Sequence, residues 1–127
     1  MGTGWSKATL DTIESSEEIR ITAPRGDGTL PDAVPIWAVC SGDAVYVRTW
    51  YRRTSGWFGR AVSSKQARII VDGNGFDTLV DDVADDPAVR AEVDAAYGAK
   101  YGRYGSGSAG QMASDDAAAT TLRLTPA

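Results

Sequence analysis

Histidine is absent from all 127 residues. Without an imidazole, the Ser-His-Asp and Cys-His nucleophilic systems, histidine-ligated zinc and histidine-ligated haem are excluded. Any chemistry falls to carboxylates, Tyr, Lys, Arg, Cys, backbone groups or a bound cofactor. Cysteine is nearly absent as well, and the single Cys40 has no partner for an internal disulfide. Its place in the apolar run Ile36-Trp37-Ala38-Val39-Cys40 reads as a small buried hydrophobe rather than a reactive thiol, since nothing beside it in sequence lowers a thiol pKa. No apolar run approaches the roughly 20 residues of a membrane-spanning helix. The first residues lack both a basic region followed by an apolar core and a small-residue cleavage site. The expectation is a water-soluble, cytoplasmic chain of one domain spanning 1–127, with no membrane partner.

Basic residues are outnumbered, 13 against 17 acidic, for a formal net charge of −4. That balance argues against a nucleic-acid surface as the main function. The sign reverses locally: Arg48, Arg52, Arg53 and Arg60 fall within 13 residues that hold no acidic side chain. Trp50, Tyr51, Trp57 and Phe58 are interleaved with them.

The coarse pattern is α+β. Ser6 to Ser16 reads as a short amphipathic helix capped by Ser6, and Glu17 to Thr22 alternates as a half-buried strand. Pro24 to Thr29 is dense in turn formers and reads as a loop. Val34 to Cys40 and Ala44 to Trp50 read as a hairpin, the second strand setting Arg48 and Trp50 on one face. Trp57 to Val62 reads as a helical turn. Gln66–Val71 and Phe76–Val80 flank a glycine-containing turn as a second hairpin. Asp85-Asp86-Pro87 starts a longer helix with Val89, Val93, Tyr97 and Tyr101 on one stripe, and Thr120 to Thr125 reads as a closing strand. About six mainly antiparallel strands, an N-terminal helix, a short middle helix and a longer helix before the last strand fit a closed barrel better than a doubly wound sheet.

Guanidinium forks at a strand-to-helix junction suit phosphate or carboxylate, and the aromatic faces suit a flat ring. The plain alternative makes the tryptophans core and the arginines a solvated rim. Taken singly the aromatics read as core; taken as a group the arginines read as a receptor for an anionic small molecule. Lys100, Tyr97 and Tyr101 are the acid/base candidates, although the tyrosines lie on the apolar stripe and Lys100 also reads as a snorkelling surface lysine. Asp72-Gly73-Asn74-Gly75 lacks the spacing and terminal glutamate of a calcium loop; no metal site is expected.

The segments Ile21–Thr29, Pro35–Val39, Val45–Thr49, Gly56–Ala61 and Asp94–Gly102, in that order, resemble the bacterial family of domain of unknown function 2255. That family is similar to the flavin-binding split-barrel proteins, which include the pyridoxamine phosphate oxidase group and the deazaflavin-dependent nitroreductases. The resemblance implies a split β-barrel, a homodimer, and FMN or a deazaflavin as cofactor in an oxidoreductase. Carried over by position, it assigns cofactor contacts to Arg48, Thr49, Ser55, Gly56, Trp57 and Arg60; in an oxidoreductase of this kind Arg48, Arg53 and Arg60 are expected to pair with phosphate and Trp50 or Trp57 to line the ring. The stretch Trp50-Tyr51-Arg52-Arg53-Thr54 is bulkier than the glycine-bearing segment of those relatives, which leaves the cofactor's identity open. The second expectation is a cofactor-free enzyme or binding protein for an anionic metabolite, with Lys100, Tyr97 or Tyr101 moving protons. The third is a barrel that acts through self-association alone.

Overall fold

A computed structural model describes residues 5–42, 44–48, 56–101 and 120–127. Three helices, α1 (Lys7–Ser15), α2 (Gly56–Ser64) and α3 (Pro87–Tyr101), accompany seven strands. These are β1 (Ile19–Thr22), β2 (Val34–Ile36), β3 (Ala38–Ser41), β4 (Ala44–Val47), β5 (Gln66–Val71), β6 (Asn74–Asp82) and β7 (Leu122–Pro126). All pairings are antiparallel, in the order β2-β1-β5-β6-β7-β4-β3. The two outermost strands are consecutive in the chain and separated only by Trp37, so the sheet curls until its ends meet there. The result is a nearly closed barrel, an α+β split barrel.

That closure explains the one departure in strand count. The run Val34 to Cys40 is two strands rather than one: Val34–Ile36 pairs with β1, and Ala38–Ser41 pairs with β4. Pro35 has no N–H to donate and sits where only one neighbour exists, in edge strand β2. The bend at Trp37 hands the chain from one side of the split to the other.

Local signals place the remaining elements. Ser6 Oγ accepts from the Thr9 N–H at 3.2 Å and opens α1. Asp86 Oδ1 accepts from the N–H groups of Ala88 and Val89 at 3.0 and 3.2 Å, ahead of Pro87 at the first turn of α3. Asp72 and Gly73, with φ of 51° and 81°, form the two-residue turn that joins β5 to β6.

Burial follows the pleat. Val45 and Val47 point into the barrel with Ile21, Ile69, Leu122 and Leu124. Val39, Ala44 and Tyr46 face outward and are covered by Val89, Val93, Tyr97 and Tyr101 of α3. Strand β4 is therefore buried on both faces. No helix among the described residues is long and apolar enough to cross a membrane.

A strand beside a split has one unpaired edge, and in β3 side chains satisfy it. Lys100 Nζ and Tyr101 Oη donate to Ala38 O at 2.6 and 3.2 Å, and the Cys40 N–H donates to Glu14 Oε1 at 3.4 Å. Lys100 Nζ also donates to Ile13 O at 2.8 Å, covering a carbonyl of the last turn of α1, where a cation is favourable. One step beyond β3 the register would set Trp37 opposite Arg48. There the Tyr97 hydroxyl intervenes, accepting from the Arg48 N–H at 3.1 Å and donating to Trp37 O at 2.7 Å. Tyr97→Phe removes the shared partner of two backbone groups. It is expected to destabilise the fold by about 1–3 kcal/mol, measured as a lower urea midpoint at unchanged slope; an unchanged midpoint would show that the bridge contributes nothing.

Candidate functional site

Of the four clustered arginines the two described, Arg48 and Arg60, lie in different places. Arg48 lies in the interior with its side chain 0% exposed, and its Nη1 is 2.5 Å from Asp94 Oδ1. Its Nε donates to Thr121 Oγ1 at 2.8 Å and its Nη2 to Arg90 O at 3.5 Å, while the guanidinium carbon stands 5.7 Å from the centre of the Tyr97 ring. These contacts tie β4 to α3 and to the residue just before β7. Such a buried cation is tolerable because a carboxylate and neutral acceptors take up its donors.

Arg60, on α2, turns the other way. Its Nε donates to Ala23 O at 3.0 Å, just past the end of β1. Among the described residues its terminal nitrogens have no further hydrogen-bond partner. Arg60 borders a cavity of about 500 Å³ lined also by Arg25, Gly56, Gly59, Ser63 and Ser64. Gly56 is the first residue of α2 and has φ of +63°, a conformation that glycine adopts without strain. An α-helix start leaves N–H groups without intrahelical acceptors and carries partial positive charge. Two arginines, two serines and a helix start therefore line one space, in which Arg25 Nη1 also donates to Thr29 Oγ1 at 3.4 Å and Ser64 Oγ to Gln66 O at 3.1 Å. Among the described residues no carboxylate lines it.

Of the expected cofactor contacts, Gly56 and Arg60 meet at this cavity, and Arg48 is not among its walls. Trp57 is half-buried, packs against the barrel core and sets its ring 5.7 Å from Phe58 at 71°. Thr49, Trp50, Arg53 and Ser55 lie outside the described residues. The acid/base candidates Tyr97, Lys100 and Tyr101 sit together on α3, against the edge of β3. Tyr101 also donates to Glu17 O at 2.8 Å and stacks on Trp37 at 4.0 Å. Burial raises the pKa of the Tyr97 hydroxyl, with Tyr101 adding to the effect. Sequence reasoning passed over Arg25, reading its surroundings only as a turn. An arginine flanked by Pro24 and Gly26 is held out on a short turn, and that was the available signal.

The chain belongs to the family described as "Uncharacterized protein conserved in bacteria (DUF2255)", whose model matches residues 9–124. A comparison with curated proteins found no match. Among solved structures, the HutZ heme storage protein from Vibrio cholerae is 14% identical with a TM-score of 0.70, over 94% of this chain and 88% of that one. A putative 5-nitroimidazole antibiotic resistance protein from Bacteroides thetaiotaomicron is 13% identical with a TM-score of 0.63, over 95% and 79%. A FAD-binding protein from Mesorhizobium loti is 12% identical with a TM-score of 0.56, over 96% and 88%. At these identities the likeness is one of fold.

Two outcomes follow from the site's electrostatics. Asp94→Ala removes the carboxylate 2.5 Å from the buried Arg48 and is expected to cost about 3 kcal/mol, the low end for a broken buried pair because Asp94 keeps 30% of its side chain exposed. Adding Arg48→Met should recover most of that loss in denaturant melts, whereas an additive loss would show that Asp94 and Arg48 are not coupled. Cys40 is pushed up to about 11, chiefly by burial and then by the Glu14 carboxylate, with Lys100 pulling the other way. Its thiolate fraction at pH 7 is then about 10⁻⁴, and the rate of alkylation by iodoacetamide should rise about tenfold per pH unit up to that range. Fast labelling at pH 7 would contradict this placement.

Proposed function

We propose that this chain binds a phosphate-bearing flavin, FMN, or a deazaflavin, with the anionic end at the Arg25–Arg60 cavity, and acts as an oxidoreductase on a small molecule. The observation that carries the reading is the donor set. Arg60, tethered by its Nε bond to Ala23 O, lines the cavity together with Arg25, Ser63 and the start of α2, a set suited to phosphate oxygens. The fold is shared with a protein named for binding FAD and with one named for nitroimidazole resistance, which supports a flavin-type ligand. When bound, the cofactor supplies hydride transfer. The residues of this chain hold and orient its charged end.

In this reading Tyr97, Lys100 and Tyr101 secure the edge of β3 rather than move protons, because each donates to a backbone carbonyl. Arg48 braces the end of β4, just ahead of the segment expected to meet the ring. Haem, named for one structural relative, would here lack an imidazole ligand, as the chain has no histidine. Self-association as a homodimer and cytoplasmic residence belong to the same reading; a lone free thiol suits a reducing compartment.

Titration of the purified protein with FMN and with a deazaflavin, followed by absorbance and fluorescence, tests the proposal. Binding of one of them, weakened roughly 10- to 100-fold by Arg60→Ala, is the expected result for the loss of one charged hydrogen-bonding group. Failure of the native protein to bind either would sink it.

A further inference from the structure

A second cavity, of about 330 Å³, adjoins the first, and Pro24 lines both. Its character differs. Among the described residues three large apolar side chains stand exposed, Leu30, Val34 and Leu79. Two of them, Leu30 at 50% and Leu79 at 52%, line this cavity. Two polar side chains beside them are matched: Arg68 Nη1 pairs with Asp77 Oδ1 at 2.6 Å, and Thr78 Oγ1 donates to Ala67 O at 2.8 Å. Gln66 and Ala127 complete the wall, so the space sets two exposed leucines beside an internal ion pair.

One turn joins the two halves. The Arg25 N–H donates to Thr29 O and the Gly28 N–H to Arg25 O, both at 2.9 Å. Asp27 Oδ1 accepts from the Thr29 N–H at 3.0 Å and its hydroxyl at 2.7 Å. This turn therefore holds Arg25 at one cavity while Gly28 and Leu30 line the other. On the opposite wall, Ser64 borders the first cavity and Gln66 the second, and they are linked by reciprocal bonds, Ser64 Oγ to Gln66 O at 3.1 Å and the Gln66 N–H to Ser64 Oγ at 3.2 Å.

We propose that the two cavities are one groove and that its ligand is a soluble anionic amphiphile, with a phosphate or carboxylate end at Arg25 and Arg60 and an apolar body laid over Leu30 and Leu79. The inference rests on the reading that an anion is held at Arg25 and Arg60, but not on that anion being a flavin. An exposed pair of leucines gains from covering, and two arginines at a cavity that no carboxylate lines gain from an anion. A molecule carrying both features collects both gains. An inorganic anion collects only one.

The probes are inorganic phosphate, butyl phosphate, hexyl phosphate and hexanol, titrated calorimetrically into the native protein, Arg60→Ala, and the double variant Leu30→Ser with Leu79→Ser. Affinity should rise from phosphate to butyl to hexyl phosphate by roughly threefold per covered methylene. The leucine variant, whose changes fall on exposed positions, should flatten that series while keeping the affinity for inorganic phosphate. Arg60→Ala should weaken all three phosphates by a similar factor, and hexanol should bind far more weakly than hexyl phosphate. A flat series in the native protein, with phosphate still dependent on Arg60, overturns the groove and leaves the anion site standing. So does a chain-length dependence that survives loss of both leucines. No phosphate binding at any chain length overturns the anion site itself, and with it the proposed function. Cosedimentation with phosphatidylglycerol vesicles would transfer the ligand to a membrane surface and overturn the assignment to a soluble molecule.

Discussion

A barrel that closes through one residue has to deal with the backbone it leaves unpaired. At Trp37 the chain passes from β2, bonded only to β1, to β3, bonded only to β4, so β3 carries a free edge beneath the helices. Each buried donor or acceptor left there would cost about 1–3 kcal/mol, comparable with a large share of a small domain's net stability. Hydroxyls from Tyr97 and Tyr101, the ammonium of Lys100 and the carboxylate of Glu14 meet those groups one by one. They also keep a further strand from adding to the edge, the usual hazard of an exposed one. The position of α3 depends on these bonds. The cover over Val39 and Tyr46 depends on α3 in turn.

The fate of Arg48 follows from the same constraint. Once α3 covers the outer face of β4, a side chain beside Tyr46 on that face enters the interior, and a guanidinium there must carry an anion with it. Asp94 supplies one at 2.5 Å. Within the local sequence, four arginines without an acidic residue look like charge gathered for a ligand. In three dimensions one of them is neutralised from 46 positions away, and the cationic cavity recruits Arg25 from the turn after β1 instead. Like charge in a sequence window says little about like charge in space, because a helix packed across a strand brings its own counter-ions.

What was legible in the sequence is what short-range physics decides. Ser6 and Asp86-Pro87 mark helix starts through capping, Asp72-Gly73 marks a turn through positive φ, and the four-residue recurrence from Val89 to Tyr101 marks the buried face of α3. The antiparallel barrel followed from those elements and from the family resemblance. The division of Val34 to Cys40 was not legible: both halves carry the same apolar, strand-forming character, and only closure of the sheet decides that they pair with different partners. The backbone contacts of Tyr97 and Lys100 were not legible for a related reason. A hydroxyl or ammonium on an apolar stripe signals a polar task, but whether its partner is a substrate or a strand's own carbonyl is set by where the strand edge lies.

The site that remains rests on pieces already fixed by other work in the fold. Arg60 is tethered through Nε to the carbonyl that ends the β1 segment, and the turn bearing Arg25 is closed by its own backbone and by Asp27. A ligand arriving there has few rotamers and no loop of 24–30 to order, so less of its interaction energy is lost in immobilising the protein. The same rigidity separates the functions of the two halves. The turn is too short to let Arg25 and Leu30 exchange sides, so in the proposed groove the charged and apolar ends of an occupant would be assigned before it binds. Orientation there would be a property of the backbone between Pro24 and Leu30.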